Sequence, residues 1–164
     1  MSHSAEWEIA QELIFLEAHH LDQKAWDDWL DLYTEDAVFW MPSWVNEFET
    51  TTQPETELNL LYLKGKSHLE DRVYRLQTED SFASVPSART VHLVSNVRVS
   101  KVEAHEIKVH ANWLVHSYGL HGAINRGGYY DYTLRWVNSE LKIAFKKVTM
   151  IDDKLVGPVD IFHV

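Results

Sequence analysis

Apolar positions recur at helical steps through the first third of the chain and at every second position through its second half. Trp7, Ala10, Leu13, Ile14, Ala18 and Leu21 form one stripe, mostly at steps of three and four, and predict an amphipathic helix. Ser4 is placed to cap it, and Glu6 and Glu8 suit the positive end of its dipole. A second helix is predicted after Asp22 as cap, with Trp26, Trp29, Leu30 and Tyr33 as its apolar face. Ala37 to Met41 is apolar and ends at Pro42, which predicts a short first strand. Ser43 to Asn59 is mostly polar and acidic and reads as a long excursion; loops above about 12 residues are uncommon in compact domains and often functional. Leu60 to Leu63 is a short apolar run broken by Gly65. Ser67 with Glu70 matches a capping box for a helix carrying Leu69, Val73 and Leu76.

The period then changes to two. Val91, Leu93, Val97 and Val99 alternate with Thr90, His92, Asn96 and Arg98, and Ile107, Val109, Ala111, Trp113 and Val115 alternate with Lys108, His110, Asn112 and His116. These are long strands with one apolar face. Gly127-Gly128 reads as the turn before a third strand with Tyr130, Tyr132, Leu134 and Trp136 on one side. Asn138-Ser139 makes a tight turn into a fourth strand at Leu141, Ile143 and Phe145, whose apolar phase moves to Val148 and Met150 and so predicts a bulge near Lys146-Lys147. Helices followed by a meander of antiparallel strands define an α+β fold, N-terminal helices packed on one face of a curved, mainly antiparallel sheet, roughly a cone. No linker or internal repeat interrupts it, so residues 1–164 are read as one domain.

Length supports that: 164 residues suit one domain that buries about 70% of its unfolded surface. Seven Trp point to a large aromatic core, a buried interface, or both. The absence of Cys excludes disulfides, thiol nucleophiles and any Rieske or all-cysteine iron–sulfur cluster built from this chain, and suits a reducing cytoplasm. A net charge of −10 without a basic run makes nucleic acid and anionic membranes poor partners. Met1 to Glu12 has no apolar signal core, and no stretch of about 18 apolar residues spans a bilayer.

Candidate chemistry is sparse. Glu35 and Asp36, placed at the end of the second helix, offer either a general base at the mouth of the cone or a solvated turn. His92, His110 and His116 are placed on one polar sheet face, with Asp131 as a nearby acid for a 2-His-1-carboxylate site. The six-residue step from His110 to His116 is roughly 20 Å along a strand, too far for one ion held by bonds of about 2 Å. His19-His20 point to different sides of a helix, so they fail as a pair too. Trp40 and Trp44 straddle Pro42 and are candidate interface anchors, with a core role open for Trp40.

Two segments carry a resemblance. Leu69-Glu70-Asp71-Arg72-Val73-Tyr74-Arg75-Leu76 is similar to the L-x-x-R-V-x-R-L helix of the small (β) subunits of bacterial aromatic-ring-hydroxylating dioxygenases. Pro86-Ser87-Ala88-Arg89-Thr90-Val91-His92-Leu93-Val94-Ser95-Asn96-Val97 resembles that family's P-P-S-R-T-x-H-x-V-x-N-V strand, with Val85-Pro86 where Pro-Pro is frequent and one extra Ala. Trp26, Trp29, Tyr33, Asp36 and Pro42 also fit, and Asp160-Ile161-Phe162-His163-Val164 looks like the benzoate, toluate and anthranilate branch. The resemblance implies a nuclear-transport-factor-2-like cone and a structural subunit without catalytic, cofactor or metal residues of its own. It also implies an α3β3 hexamer containing a β trimer. The Rieske [2Fe–2S] cluster and mononuclear iron would then sit in the α subunit, fed by a reductase. Arg72, Arg75 and Arg89 are planar donors for carboxylate contacts within the subunit or between subunits. The competing reading is a free-standing dehydratase or isomerase in the same cone, using Asp36, His92 or His110 as acid and base and Tyr33 as donor. A ligand-binding module is a third, weaker reading. A packed cone favours the scaffold, and an open polar-lined one the enzyme.

Overall fold

In the computed structural model, which describes residues 3–78, 87–103 and 105–164, three helices cover one face of a single curved sheet. The order is α1 (His3–Gln23), α2 (Trp26–Asp31), β1 (Tyr33–Pro42), β2 (Asn59–Lys64), α3 (Lys66–Gln77), β3 (Arg89–Val102), β4 (Glu106–Gly119), β5 (Gly122–Val137), β6 (Glu140–Met150) and a closing 3-10 turn (Ile161–His163). The sheet order is β2-β1-β6-β5-β4-β3, antiparallel throughout except for the parallel β1–β6 pair. The α+β cone expected from the sequence is the observed fold. Val85 and Pro86 of the motif strand, and the side chain of Ser4, lie outside the described residues.

α1 buries Ala10, Leu13, Ile14 and Leu21, and Glu17 sits on the same stripe; Trp7, near the start of the stripe, is exposed. The helix ends in a left-handed Lys24 (φ 54°), with Lys24 N–H donating to Leu21 O and Ala25 N–H to His20 O. That is the pattern of a Schellman cap. Asp22 therefore lies in the last turn of α1 and does not cap α2. α2 ends at Asp31, and Tyr33 opens β1 instead of continuing the helix. Glu35 and Asp36 accordingly stand on a strand, not at a helix end. The capping box at Ser67 and Glu70 does not form: the N-cap of α3 is Gly65, two residues earlier, at φ 94°.

β4 and β5 bury the face their alternation predicts: Ile107, Val109, Ala111, Trp113 and Val115 on one, Tyr130, Tyr132 and Leu134 on the other. β3 does not. Val91 and Leu93 are exposed, while Thr90 and His92 face the core. A bulge between Ser95 and Arg98, with Asn96 at φ 52°, shifts the phase, so Val97 and Val99 pack inward beyond it. One odd-numbered apolar row is thus split between two faces.

Two other details differ from expectation. Gly127 and Gly128 lie inside β5, and the turn is at Gly119–Gly122. The β6 bulge is at Ala144, between the Phe145↔Thr133 and Ile143↔Leu134 pairs, so Phe145 turns outward and Lys146 turns into the core. Asn138 (φ 50°) and Ser139 (φ 71°) form the expected tight β5–β6 turn.

Candidate functional site

The interior that a cone-shaped enzyme would keep open is filled by a charged cluster. Glu17 and Lys146 are both about 1% exposed, and Lys146 Nζ donates to Glu17 Oε1 at 2.8 Å. Tyr33 donates to the same oxygen, and Tyr132 donates to Oε2 at 2.7 Å. The ammonium also lies 4.3 Å from the ring centre of Tyr130 and 5.3 Å from that of Phe39, a cation–π cage. Burial pushes the Glu17 carboxyl up, but the Lys146 charge and three donated hydrogen bonds outweigh it and hold Glu17 below its ordinary range. The hydroxyls of Tyr33, Tyr130 and Tyr132 are pushed well up by burial and by the Glu17 charge, so they stay protonated. Every member is committed to another, and none is free to move a proton to a ligand. The sequence reading placed Lys146 at a bulge and missed the pair. The signal was there: Glu17 falls at steps of three and four from Leu13, Ile14 and Leu21 on an apolar stripe.

A second buried group ties α1 to β3. Asp22 accepts from Thr90 Oγ1 (2.9 Å), His92 N–H (2.9 Å) and His92 Nδ1 (2.5 Å). Since a carboxylate only accepts, His92 donates from Nδ1, and its Nε2 faces the core, where it has no hydrogen-bond partner among the described residues.

A third group closes the chain. Arg72 of α3 forms a two-bond clamp on Asp160, both contacts 2.8 Å, with Asp160 almost wholly buried. Asp160 also accepts from Ile161 N–H, and its own N–H donates to His163 Nδ1 at 3.1 Å. That bond requires a neutral His163. Burial, helped by the Arg126 charge and opposed by Asp160, lowers its pKa from 6.5 to about 4. The folded value is depressed, so this histidine contributes stability that is complete above 6.5 and lost as pH falls toward 4. The loss is worth about 3 kcal/mol. Thermal melts from pH 7 to 4 are expected to fall more steeply for the native chain than for His163→Gln, whose amide oxygen can still accept. Parallel curves would assign the acid sensitivity to other groups.

The candidates for independent catalysis are dispersed. Tyr33 is locked to Glu17, and His92 faces the core against Asp22. His110 lies on the opposite sheet face, bonded to Asp131 (2.8 Å) and stacked on Tyr129, and His116 bonds Asn125 on that face. The three histidines therefore do not share a face. Asp36 is exposed and clamped by Arg135 at 3.0 and 2.8 Å, a contact that with the Thr34 bond holds its carboxyl below the usual range and makes it a poor base. Tyr33 and Asp36 border an open polar depression of about 450 Å³ with Lys66 and Arg135, which neither His92 nor His110 reaches. Among the described residues no three His, Asp or Glu converge to hold a metal ion, and no helix is long and apolar enough to cross a membrane.

The assembly candidates divide as well. Trp40 is buried on the face opposite Phe39, donating to Asn59 (2.6 Å) and lying under Lys147 (4.9 Å to its ring centre). Trp44 is partly exposed and pins the long loop by donating to Met150 O at 2.8 Å. Arg75 is exposed, and Arg89, also exposed, lies over the Tyr118 ring at 5.5 Å.

Fold and site together define a cone-type α+β domain with a buried Glu17–Lys146 ion pair in its interior and, among the described residues, no converging set of catalytic or metal-binding side chains. Residues 16–156 match the family described as ring hydroxylating beta subunit, and the chain belongs to that family. It is 35% identical to the benzoate 1,2-dioxygenase subunit beta of Acinetobacter baylyi over 157 residues, 96% of this chain and 93% of that one. The crystal structure of the benzoate 1,2-dioxygenase β subunit from Burkholderia mallei superposes with a TM-score of 0.77 at 36% identity, covering 94% and 95% of the two chains. A chain of naphthalene 1,2-dioxygenase shares the fold at a TM-score of 0.77 and 16% identity, covering 99% of this chain and 87% of its own.

Proposed function

We propose that this chain is the structural, non-catalytic β subunit of a Rieske non-haem iron dioxygenase that dihydroxylates a benzoate-like aromatic acid. The carrying observation is the full-length relationship to benzoate-type β subunits; in this chain the motif helix is tied to the C-terminal Asp160–Val164 segment by the Arg72–Asp160 clamp. The buried Glu17–Lys146 pair supports it, because it and the tyrosines bound to it occupy interior positions with groups committed to one another. On this reading residues 1–164 form one β-subunit domain in a cytoplasmic α3β3 oxygenase. The chain trimerises there and holds an α subunit that carries the Rieske cluster and mononuclear iron, and a reductase supplies the electrons. Trp44, Arg75 and Arg89 are contact positions between subunits. Trp40 and Arg72 act within the chain, shaping the surface around them.

The test is co-expression with the large subunit. The complex is expected to show Rieske absorption bands, bound iron and dihydroxylation of benzoate, and the purified chain alone none of these. Stoichiometric iron or turnover in the isolated chain would overturn the reading. Arg89→Ala is expected to change the stability of the isolated chain by no more than about 1 kcal/mol, the worth of an exposed cation–π contact. Recovery of hexamer from size exclusion should fall, while turnover per assembled, iron-loaded α subunit stays normal. Full assembly with lost turnover would reopen a catalytic role.

A further inference from the structure

α1 carries two apolar faces, and only one is covered by its own chain. Ala10, Ile14 and Leu21 enter the core. Ile9 and Leu16, together with Leu13, which is itself buried against the core, line an open groove of about 780 Å³. Its other wall is the β5–β6 end, with Trp136 and Leu141, and Leu32 lies between. Trp7, Ile9 and Phe15 are each more than a third exposed on this helix. An amphipathic helix apolar on two sides is normally covered on both.

The rim narrows the choice of cover. Glu8, Glu12, Asp31 and Glu140 border the groove, against a single cation, Lys142. Lys142 is already engaged, donating to Asp31 O at 2.9 Å and lying 3.6 Å from Glu140. Among the described residues Glu8 and Glu12 have no ion-pair partner. A two-fold contact with a second copy would bring together eight carboxylates, of which Asp31 pairs with Lys66 and Glu140 with Lys142 in each copy while Glu8 and Glu12 face their counterparts unpaired, in a chain of net charge −10. The complementary occupant is apolar and cationic.

We infer that this groove is where the large subunit docks, inserting an apolar segment flanked by Lys or Arg. The inference rests on the β-subunit reading and adds to it the surface that meets the α chain. Apolar burial along Ile9, Leu16 and Trp136 holds the segment, and the carboxylate rim sets its orientation and speeds encounter.

The experiment is co-purification and titration of the large subunit encoded with this chain, using native protein, the double variant Glu8→Lys/Glu12→Lys, the neutral double variant Glu8→Gln/Glu12→Gln and Ile9→Asp. Each alters only exposed side chains, and circular dichroism and melting confirm the fold. The native pair is expected to weaken as salt rises. Charge reversal and Ile9→Asp should each weaken binding at least tenfold at low salt. The neutral variant should bind in between, with a flatter salt dependence, and self-association of the chain should stay unchanged. Native affinity in the reversed and Ile9→Asp variants would overturn the groove assignment alone. So would loss of self-association with the large subunit still bound, which would place a second copy there. Failure of the native chain to bind the large subunit at all would instead sink the β-subunit reading, and the groove assignment with it.

Discussion

Lys146→Ala is expected to cost the fold about 3–5 kcal/mol, the range for removing one partner of a buried ion pair. A single domain has a total stability of roughly 5–15 kcal/mol, so little folded protein should accumulate. The loss has two parts. The four-carbon stem and ammonium leave a void among Phe39, Tyr130 and Tyr132. Glu17 is left as a carboxylate with two tyrosine donors and no counter-charge. Lys146→Met separates these, because it refills most of the volume and leaves the charge unpaired. In that variant the folded pKa of Glu17 rises above its unfolded value. The protonated form is then the stabilised one, so the deficit should be smallest at acid pH and grow as pH rises through the folded value. The double variant Glu17→Gln/Lys146→Met removes both charges and should recover most of the loss, since well-packed neutral replacements of buried pairs are often close to neutral in stability. Urea unfolding at fixed chain concentration measures all three. Equal stability of Lys146→Met and the double variant would show that the pair is not coupled as the geometry requires.

Gly128→Ala is the second large effect. A Cβ at this position would lie 1.9 Å from Thr149 O, 2.9 Å from its carbonyl carbon and 3.0 Å from Met150 Cα. All three are backbone atoms in the paired strand, so no side chain can swing aside. β5 and β6 must part where Gly128 pairs with Met150, beneath the bond from Trp44 Nε1 to Met150 O. The expected cost is about 3 kcal/mol or more, at or above the upper end for overpacking. Faster amide exchange should spread along β6 and into the loop that Trp44 pins. Gly127→Ala is the control one residue away. Its Cβ would sit 3.1 Å from Trp113 O and 3.3 Å from Leu114 Cδ1, and the leucine can yield by tenths of an ångström. About 1 kcal/mol is expected there. Similar losses in both melts would mean that a general glycine effect dominates and not the strand contact.

These two sites also show where sequence reading stops. Gly127-Gly128 reads locally as a turn, because paired glycines usually mark one. Only the approach of β6 reveals that the second glycine is there to let two backbones touch. Lys146-Lys147 reads only as a bulge where the apolar phase shifts, and lysine is almost never buried alone. What makes Lys146 affordable in the core is Glu17, 129 residues away. Likewise, His92 and His110 appear on one polar face until the Asn96 bulge sends them to opposite sides.

What the chain settled by local pattern was considerable. The step of three and four through α1 and α3, the strict alternation of β4 and β5 and the Asn138-Ser139 turn are short-range regularities, and each is the observed element. Together with the motif segments and the absence of cysteine, they were enough for the fold class, the family and the exclusion of a Rieske cluster from this chain. Tertiary structure decided what distant residues do to one another: that β3 turns His92 inward toward Asp22, that Arg72 clamps Asp160 across 88 residues, and that Glu17 and Lys146 close the cone. Periodicity reports which residues share a face over a few positions. A bulge inverts a face at the cost of one residue, and an ion pair is stable only once the fold has brought both charges out of water together.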